Sequence, residues 1–158
     1  MLDKVKNTSI YQPTQPGLIY PVVPVFDNFE AERLHSKQRL VAACRAFALE
    51  SLDYGFAGHL TIRDPEHPEL YWTNPMCVHF AQVKVSNLIL ADHKGRVVEG
   101  SHALNRAGFV LHAAVHEAHP DIVAMCHAHT VYGTAFAALG RPLDPIYRML
   151  RPSLKITW

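Results

Sequence analysis

No run of about eighteen apolar residues occurs in the chain, so nothing reads as a membrane-spanning helix. The first thirty residues hold no apolar stretch of the secretory type, and Pro13, Pro16, Pro21 and Pro24 would interrupt one. Cysteine is scarce. Cys44, Cys77 and Cys126 cannot all pair, and no CxxC spacing occurs. Cys44 and Cys126 follow apolar residues, which suits buried, reduced thiols. Excess charge of either sign is also missing. Fifteen Lys and Arg against fourteen Asp and Glu leave a net charge of +1. Such a balance exerts no long-range pull on nucleic acid or anionic lipid, so neither is expected as a partner. Repeats and low-complexity segments are absent. These absences lead us to expect a soluble, cytoplasmic protein.

What is present is enough for one domain. The chain has 158 residues, 49% hydrophobic and 18% charged, and should fold by burying a core. Residues 1–26 read as a proline-punctuated arm, laid across the domain or a neighbouring subunit. Asp27 or Asn28 can cap a helix running to about Asp53, with Gly55 as its stop. Leu34, Val41, Cys44, Ala48 and Leu52 mark its expected buried face. Strands are expected at 59–63 and 70–72, joined by the turn Asp64-Pro65-Glu66-His67-Pro68, and then as a hairpin over 88–99. A second helix should run from Arg106 to Ala118 behind Asn105. Ile122 to Cys126 reads as a buried strand, and a third helix, capped by Thr130, should run to Leu139. Residues 144–158 follow neither period and read as an atypical tail. This order predicts a layered α/β domain.

Eleven histidines are the compositional anomaly. The sharpest group is Cys126-His127-Ala128-His129-Thr130. If the strand continues to His129, its period of two sends His127 and His129 to one face, at the strand's carboxyl end. Two imidazoles there suit a divalent metal.

Residues 107–114 (Ala-Gly-Phe-Val-Leu-His-Ala-Ala), then His119-Pro120-Asp121, then His127-Ala128-His129-Thr130, resemble the class II aldolase/adducin domain. Gly58-His59-Leu60-Thr61-Ile62-Arg63 resembles that domain's glycine-led strand, and the likeness covers about residues 30–143. It implies a central mixed, largely antiparallel sheet flanked by helices. It also implies zinc or another divalent metal on His127 and His129. In catalytic members a third histidine completes that site, and it would fall past residue 158, so the domain reads as C-terminally truncated. The zinc there stabilises an enediolate as a carbon–carbon bond breaks.

The chain departs from the catalytic pattern. Gly108 stands where those members carry a proton-handling glutamate. Met76-Cys77, Arg106-Ala107 and Gly58-His59 stand where they carry phosphate-holding loops. His112, His116 and His119 share one helix face; His112 suits packing or support, and His116 and His119 suit solvent. His59, His79 and His102 are candidate substitute ligands. Glu117 is a remoter candidate for the acid, and Tyr132 could face the site or sit in the core.

Two functions follow from the resemblance. The first is an adducin-like role in self-association and partner binding, with actin or the cytoskeleton as the implied partner and a homo-oligomer as the implied state. The second is a divalent-metal-dependent lyase or epimerase acting on a small, unphosphorylated hydroxy-carbonyl compound. The missing acid and altered loops favour the first.

Overall fold

A computed structural model describes residues 24–55 and 57–141, together with Gly17. The tail 144–158 and most of the arm 1–26 lie outside the described residues. At the arm's end, the Phe26 ring lies 5.0 Å from that of His35.

The first helix, α1, spans Phe29–Leu49. Asn28, in extended backbone, caps it by accepting a 2.8 Å hydrogen bond from the Ala31 N–H. Glu30 and Glu32 place negative charge in the first turn, where the helix dipole favours it. The helix stops before both Asp53 and Gly55. Ser51 takes a left-handed φ of 54°, so the Ser51 and Leu52 N–H groups turn back to the carbonyls of Ala48 and Phe47. That reversal ends the helix without a glycine. Leu34, expected in the core, is half exposed. The inward stripe instead carries Arg33 and Lys37 ahead of Leu40, Val41 and Cys44, because both cations find partners there. Arg33 pairs with Asp64, and the Lys37 ammonium lies 3.6 Å from the Trp72 ring centroid.

Five strands follow: β1 (His59–Arg63), β2 (Leu70–Thr73), β3 (Ile89–Asp92), β4 (Val97–Glu99) and β5 (Ala124–His127). They form one sheet in the order β4-β3-β2-β1-β5, and every described pairing is antiparallel. Helix α2 spans Arg106–Ala118 behind its Asn105 cap, and α3 spans Val131–Ala137 behind Thr130. The fold is therefore the layered α/β arrangement that the sequence predicts.

Strand alternation sorts the side chains into two layers. Leu60, Trp72 and Leu90 pack with Leu40, Val41 and Cys44 of α1. Tyr71 and Ala91 pack with Phe109 and Ala113 of α2 on the opposite face. The turn after β1 is held by Asp64, whose carboxylate accepts from the Glu66 and His67 N–H groups, the Trp72 indole and Arg33. Burial alone would raise its pKa; these donors outweigh burial and hold it well below the usual carboxylate range.

The last elements are less covered than expected. Strand β5 pairs with β1 alone among the described residues, and Cys126 and Val123 are exposed rather than buried. Helix α3 buries no residue, and Tyr132 stands in solvent.

Candidate metal centre

Strand β5 ends at His127, so the chain reaches His129 through irregular backbone rather than by continuing the strand. The two imidazoles nevertheless meet: His127 Nε2 and His129 Nε2 are 2.9 Å apart. The period-two argument gave the right neighbours for the wrong local reason. Zinc binds imidazole nitrogen at about 2.0–2.1 Å, so two such ligands on one tetrahedral ion stand about 3.3 Å apart, a few tenths of an ångström beyond the hydrogen-bonding separation of these two rings. The donor atoms and their spacing therefore fit a divalent ion. Among the described residues, no group of three His, Cys, Asp or Glu side chains converges as a ready metal site.

The register of β1 against β5 sets His59 directly opposite His127. Facing partners in an antiparallel pair project to the same side, here the side covered by α2. Their ring centroids are 5.0 Å apart, and the His59 ring lies 4.1 Å from that of His112. The row continues inward. Thr61 Oγ1 stands 2.8 Å from His112 Nδ1 and 2.9 Å from His116 Nε2, and the His116 ring stacks on Tyr71 at 4.7 Å.

Hydrogen-bond logic fixes the protons in this row. Burial lowers the pKa of His116 and pushes that of His112 down to about 3, so both rings are neutral. The Ile122 carbonyl can only accept, so His116 Nδ1 carries a proton and its Nε2 accepts from the Thr61 hydroxyl. Thr61 then accepts from the His112 Nδ1–H. His112 Nε2 is left with a bare lone pair. It and His59 Nε2 are buried atoms without a hydrogen-bond partner. Burial, reinforced by His127, pushes the His59 pKa down to about 4. His127 is itself lowered by burial and by His129.

Several expectations change. His116 is buried, not solvent-facing, because its place one turn beyond His112 points it at Thr61 and Tyr71. His119 is exposed, as expected. Of the substitute ligands, only His59 reaches the pair. His79 Nε2 lies 3.0 Å from Asp53, while its Nδ1 accepts from the Ala81 N–H. His102 and Glu117 are exposed. Thr61 was the residue that sequence reasoning missed. Its place on the same strand face as His59, two residues on, was the available signal.

Gly108 explains how His59 fits. A Cβ on Gly108 would lie 2.4 Å from His59 Cε1 and 2.6 Å from its Nδ1, inside any tolerable contact. The imidazole occupies the volume that a side chain at 108 would need.

Two of the loops that the resemblance matches to phosphate-holding segments meet at one pocket. Cys77 adopts a left-handed φ of 61°, a conformation that favours glycine. Asp53, Gly58 and Cys77 line one small pocket. A larger groove of about 500 Å³ is lined by His129, Tyr54, Thr130, Val131, Thr134 and Ala135, with no Lys or Arg among the described lining residues.

Comparison with known proteins bears on the family and the fold. The family model "Class II Aldolase and Adducin N-terminal domain" matches residues 38–155. The decarboxylase NovR of Streptomyces niveus is 42% identical over 78% of this chain and 46% of its own length. Alpha-adducin of Mus musculus is 36% identical over 56% of this chain and 12% of its own. The structure of an L-fuculose 1-phosphate aldolase from Glaciozyma antarctica superposes with a TM-score of 0.74 at 47% identity, covering 77% of this chain and 50% of that one. The chain thus spans about half the length of NovR and of that aldolase. By its matched sequence and its fold, it belongs to the class II aldolase and adducin N-terminal domain family.

Proposed function

We propose that the chain carries the metal-binding half of a divalent-metal-dependent carbon–carbon lyase acting on a small, unphosphorylated hydroxy-carbonyl compound. The observation that carries this reading is the approach of His127 Nε2 to His129 Nε2 at 2.9 Å, at the end of β5 and beside an open groove. When bound, the ion would supply Lewis-acid stabilisation of charge on the substrate's oxygens. His127 and His129 would hold it. Tyr54, Val131 and Ala135 give the groove apolar walls that would orient a carbon skeleton and exclude water. Among the described residues, the groove's lining holds no Lys or Arg, and Asp53 lines the small pocket with Gly58 and Cys77; both disfavour a phosphate ester. The similarity to a decarboxylase and to an aldolase supports cleavage of a carbon–carbon bond. Three free cysteines suit a reducing, cytoplasmic setting.

A second reading, adducin-like association, is supported by a different observation. Val123, Val131, Tyr132 and Leu139 expose apolar surface along β5 and α3. Such a surface suits contact with another copy of the chain or with a cytoskeletal partner.

The test is metal analysis followed by a substrate screen. The purified chain should retain about one zinc or similar ion, lost on His127→Ala/His129→Ala. The metal-loaded protein should release a smaller carbonyl product or carbon dioxide from a panel of hydroxy acids and hydroxy ketones. Equal metal content in the double variant would remove the site. A metal-loaded protein inert to the whole panel, yet self-associating, would favour the second reading.

A further inference from the structure

We propose that residues 18–23, which lie outside the described residues, act as an apolar strap that docks on the exposed face of α1 in the same molecule.

The docking surface is a groove of about 520 Å³ along α1. Ala42, Ala46, Leu49 and Val85 make it apolar, and Arg45 also lines it. His35, Gln38, Ala42, Arg45 and Leu49 recur at steps of three and four residues, so they share one helix face. Leu49 at one end of that face is exposed, and so is Val25 of the arm. The face lies away from the histidines. Helix α1 packs on the side of the sheet that carries Leu60 and Trp72, whereas the row of imidazoles lies on the side of α2. The proposal is therefore independent of the metal centre.

Where the arm meets the helix sets the occupant. Asn28 caps α1, yet the ring of Phe26, two residues earlier, lies 5.0 Å from that of His35, seven residues past the cap. The chain has doubled back along the helix by Phe26. Traced further back from Phe26, it heads along α1 toward Leu49.

The lengths agree. His35 and Leu49 stand about 21 Å apart along the axis, at about 1.5 Å per helical residue. Seven extended residues, at about 3.1 Å each, cover that distance and carry the strap from Phe26 to Ile19. The same scale sets Val22 and Val23 over Ala42. It brings Tyr20 and Pro21 to Arg45, where the tyrosine ring can receive the guanidinium.

The composition suits such a strap. Positions 18 to 25 carry no charged residue. Pro21 and Pro24 favour the extended polyproline form, which needs no backbone partner. Gly17 has a left-handed φ of 85°, so the chain turns just before Leu18. The arm of a second copy has the same chemistry, but the chain's own arm is already tethered at Phe26 and so has the higher effective concentration.

Photo-cross-linking tests the placement. A benzophenone amino acid at position 20 of the full 158-residue chain should, on irradiation, link to residues 38–49 or 84–85 of the same molecule, as read by mass spectrometry of the peptides. Mixing heavy-isotope with light protein separates links within one chain from links between copies. Leu49→Asp changes an exposed position outside the core, and should cut the yield about fivefold, because a strap laid over the carboxylate would bury its charge. Links to other surfaces alone, links only between copies, or no link at all would overturn the proposal. So would a yield that Leu49→Asp leaves unchanged.

Discussion

The backbone of Gly108 lies against the imidazole of His59, so that a single added methyl group would meet the ring at 2.4 Å. This contact joins the start of α2 to the first residue of β1. Gly108→Ala should therefore invert the usual helix rule. On an exposed helix, alanine for glycine stabilises by about 1 kcal/mol. Here overpacking should cost about 1–3 kcal/mol. Urea unfolding of the two proteins decides the sign; a more stable alanine variant would show that His59 can move aside freely.

Thr61 offers a second test, because one hydroxyl serves two buried rings. Thr61→Val keeps the shape but removes both the donor to His116 and the acceptor for His112. Leaving buried polar atoms unpaired costs about 1–3 kcal/mol each. The valine variant should lose stability on that scale, and Thr61→Ser should recover most of it. Equal denaturation midpoints for valine and threonine would show that the hydroxyl bridges nothing.

How much of this was legible beforehand differs by layer. Asn28, Asn105 and Thr130 each cap the helix expected of them, because capping is local chemistry written in adjacent residues. The β1–β2 pair and the 88–99 hairpin were likewise readable from alternation and turn residues. The end of α1 was not, since Ser51 adopts a conformation that sequence rules reserve for glycine. His127 and His129 stood out by their spacing, whereas His59 was one of three candidates with His79 and His102, and only the structure separates it from them. Which residue of β1 faces His127 is a matter of register between distant strands, a tertiary property. His116 was misjudged for a related reason. A polar side chain at a helical position reads as solvent-facing until its buried partners are seen.

Acid should destabilise the protein well above the carboxylate range. His59, His112 and His116 all have folded pKa values below the free value of 6.5, chiefly through burial, and those of His59 and His112 fall to about 4 and about 3. The unfolded chain therefore binds protons near pH 6.5 while the folded chain does not. Stability is complete above that pH and falls as pH drops from 6.5 toward 4, with each histidine contributing up to about 1.4 kcal/mol per pH unit. Asp64 acts at lower pH still, because its depressed pKa yields stability that is lost as pH falls below its free value of 3.8. Thermal melts between pH 7.5 and 4.5 should show a steady decline beginning near 6.5. A flat profile down to pH 5 would mean that the buried rings are already charged or readily hydrated.

The last prediction separates this chain from the sugar-phosphate enzymes it resembles. A fuculose or rhamnulose phosphate needs two things: a cradle for its phosphate and a group to move a proton. At the cradle, Asp53 lines the same small pocket as Gly58 and Cys77, and its negative charge opposes a dianionic ester. Arg106 and Ala107, which the resemblance sets where catalytic members carry small hydroxyl residues, are exposed at the first turn of α2. At the position where the resemblance expects the proton-moving acid, Gly108 has no side chain, and His59 fills the space where one would stand. General acid–base help is worth about 10²–10⁴-fold, so its loss alone leaves a feeble catalyst. Restoring the acid singly should also fail, since Gly108→Glu would collide with the imidazole; only the pair His59→Gly and Gly108→Glu clears the space. Wild-type protein loaded with zinc should therefore show no turnover of either phosphate in a coupled aldehyde assay. Brisk cleavage by the wild type would mean that another group moves the proton and that Asp53 does not exclude the phosphate.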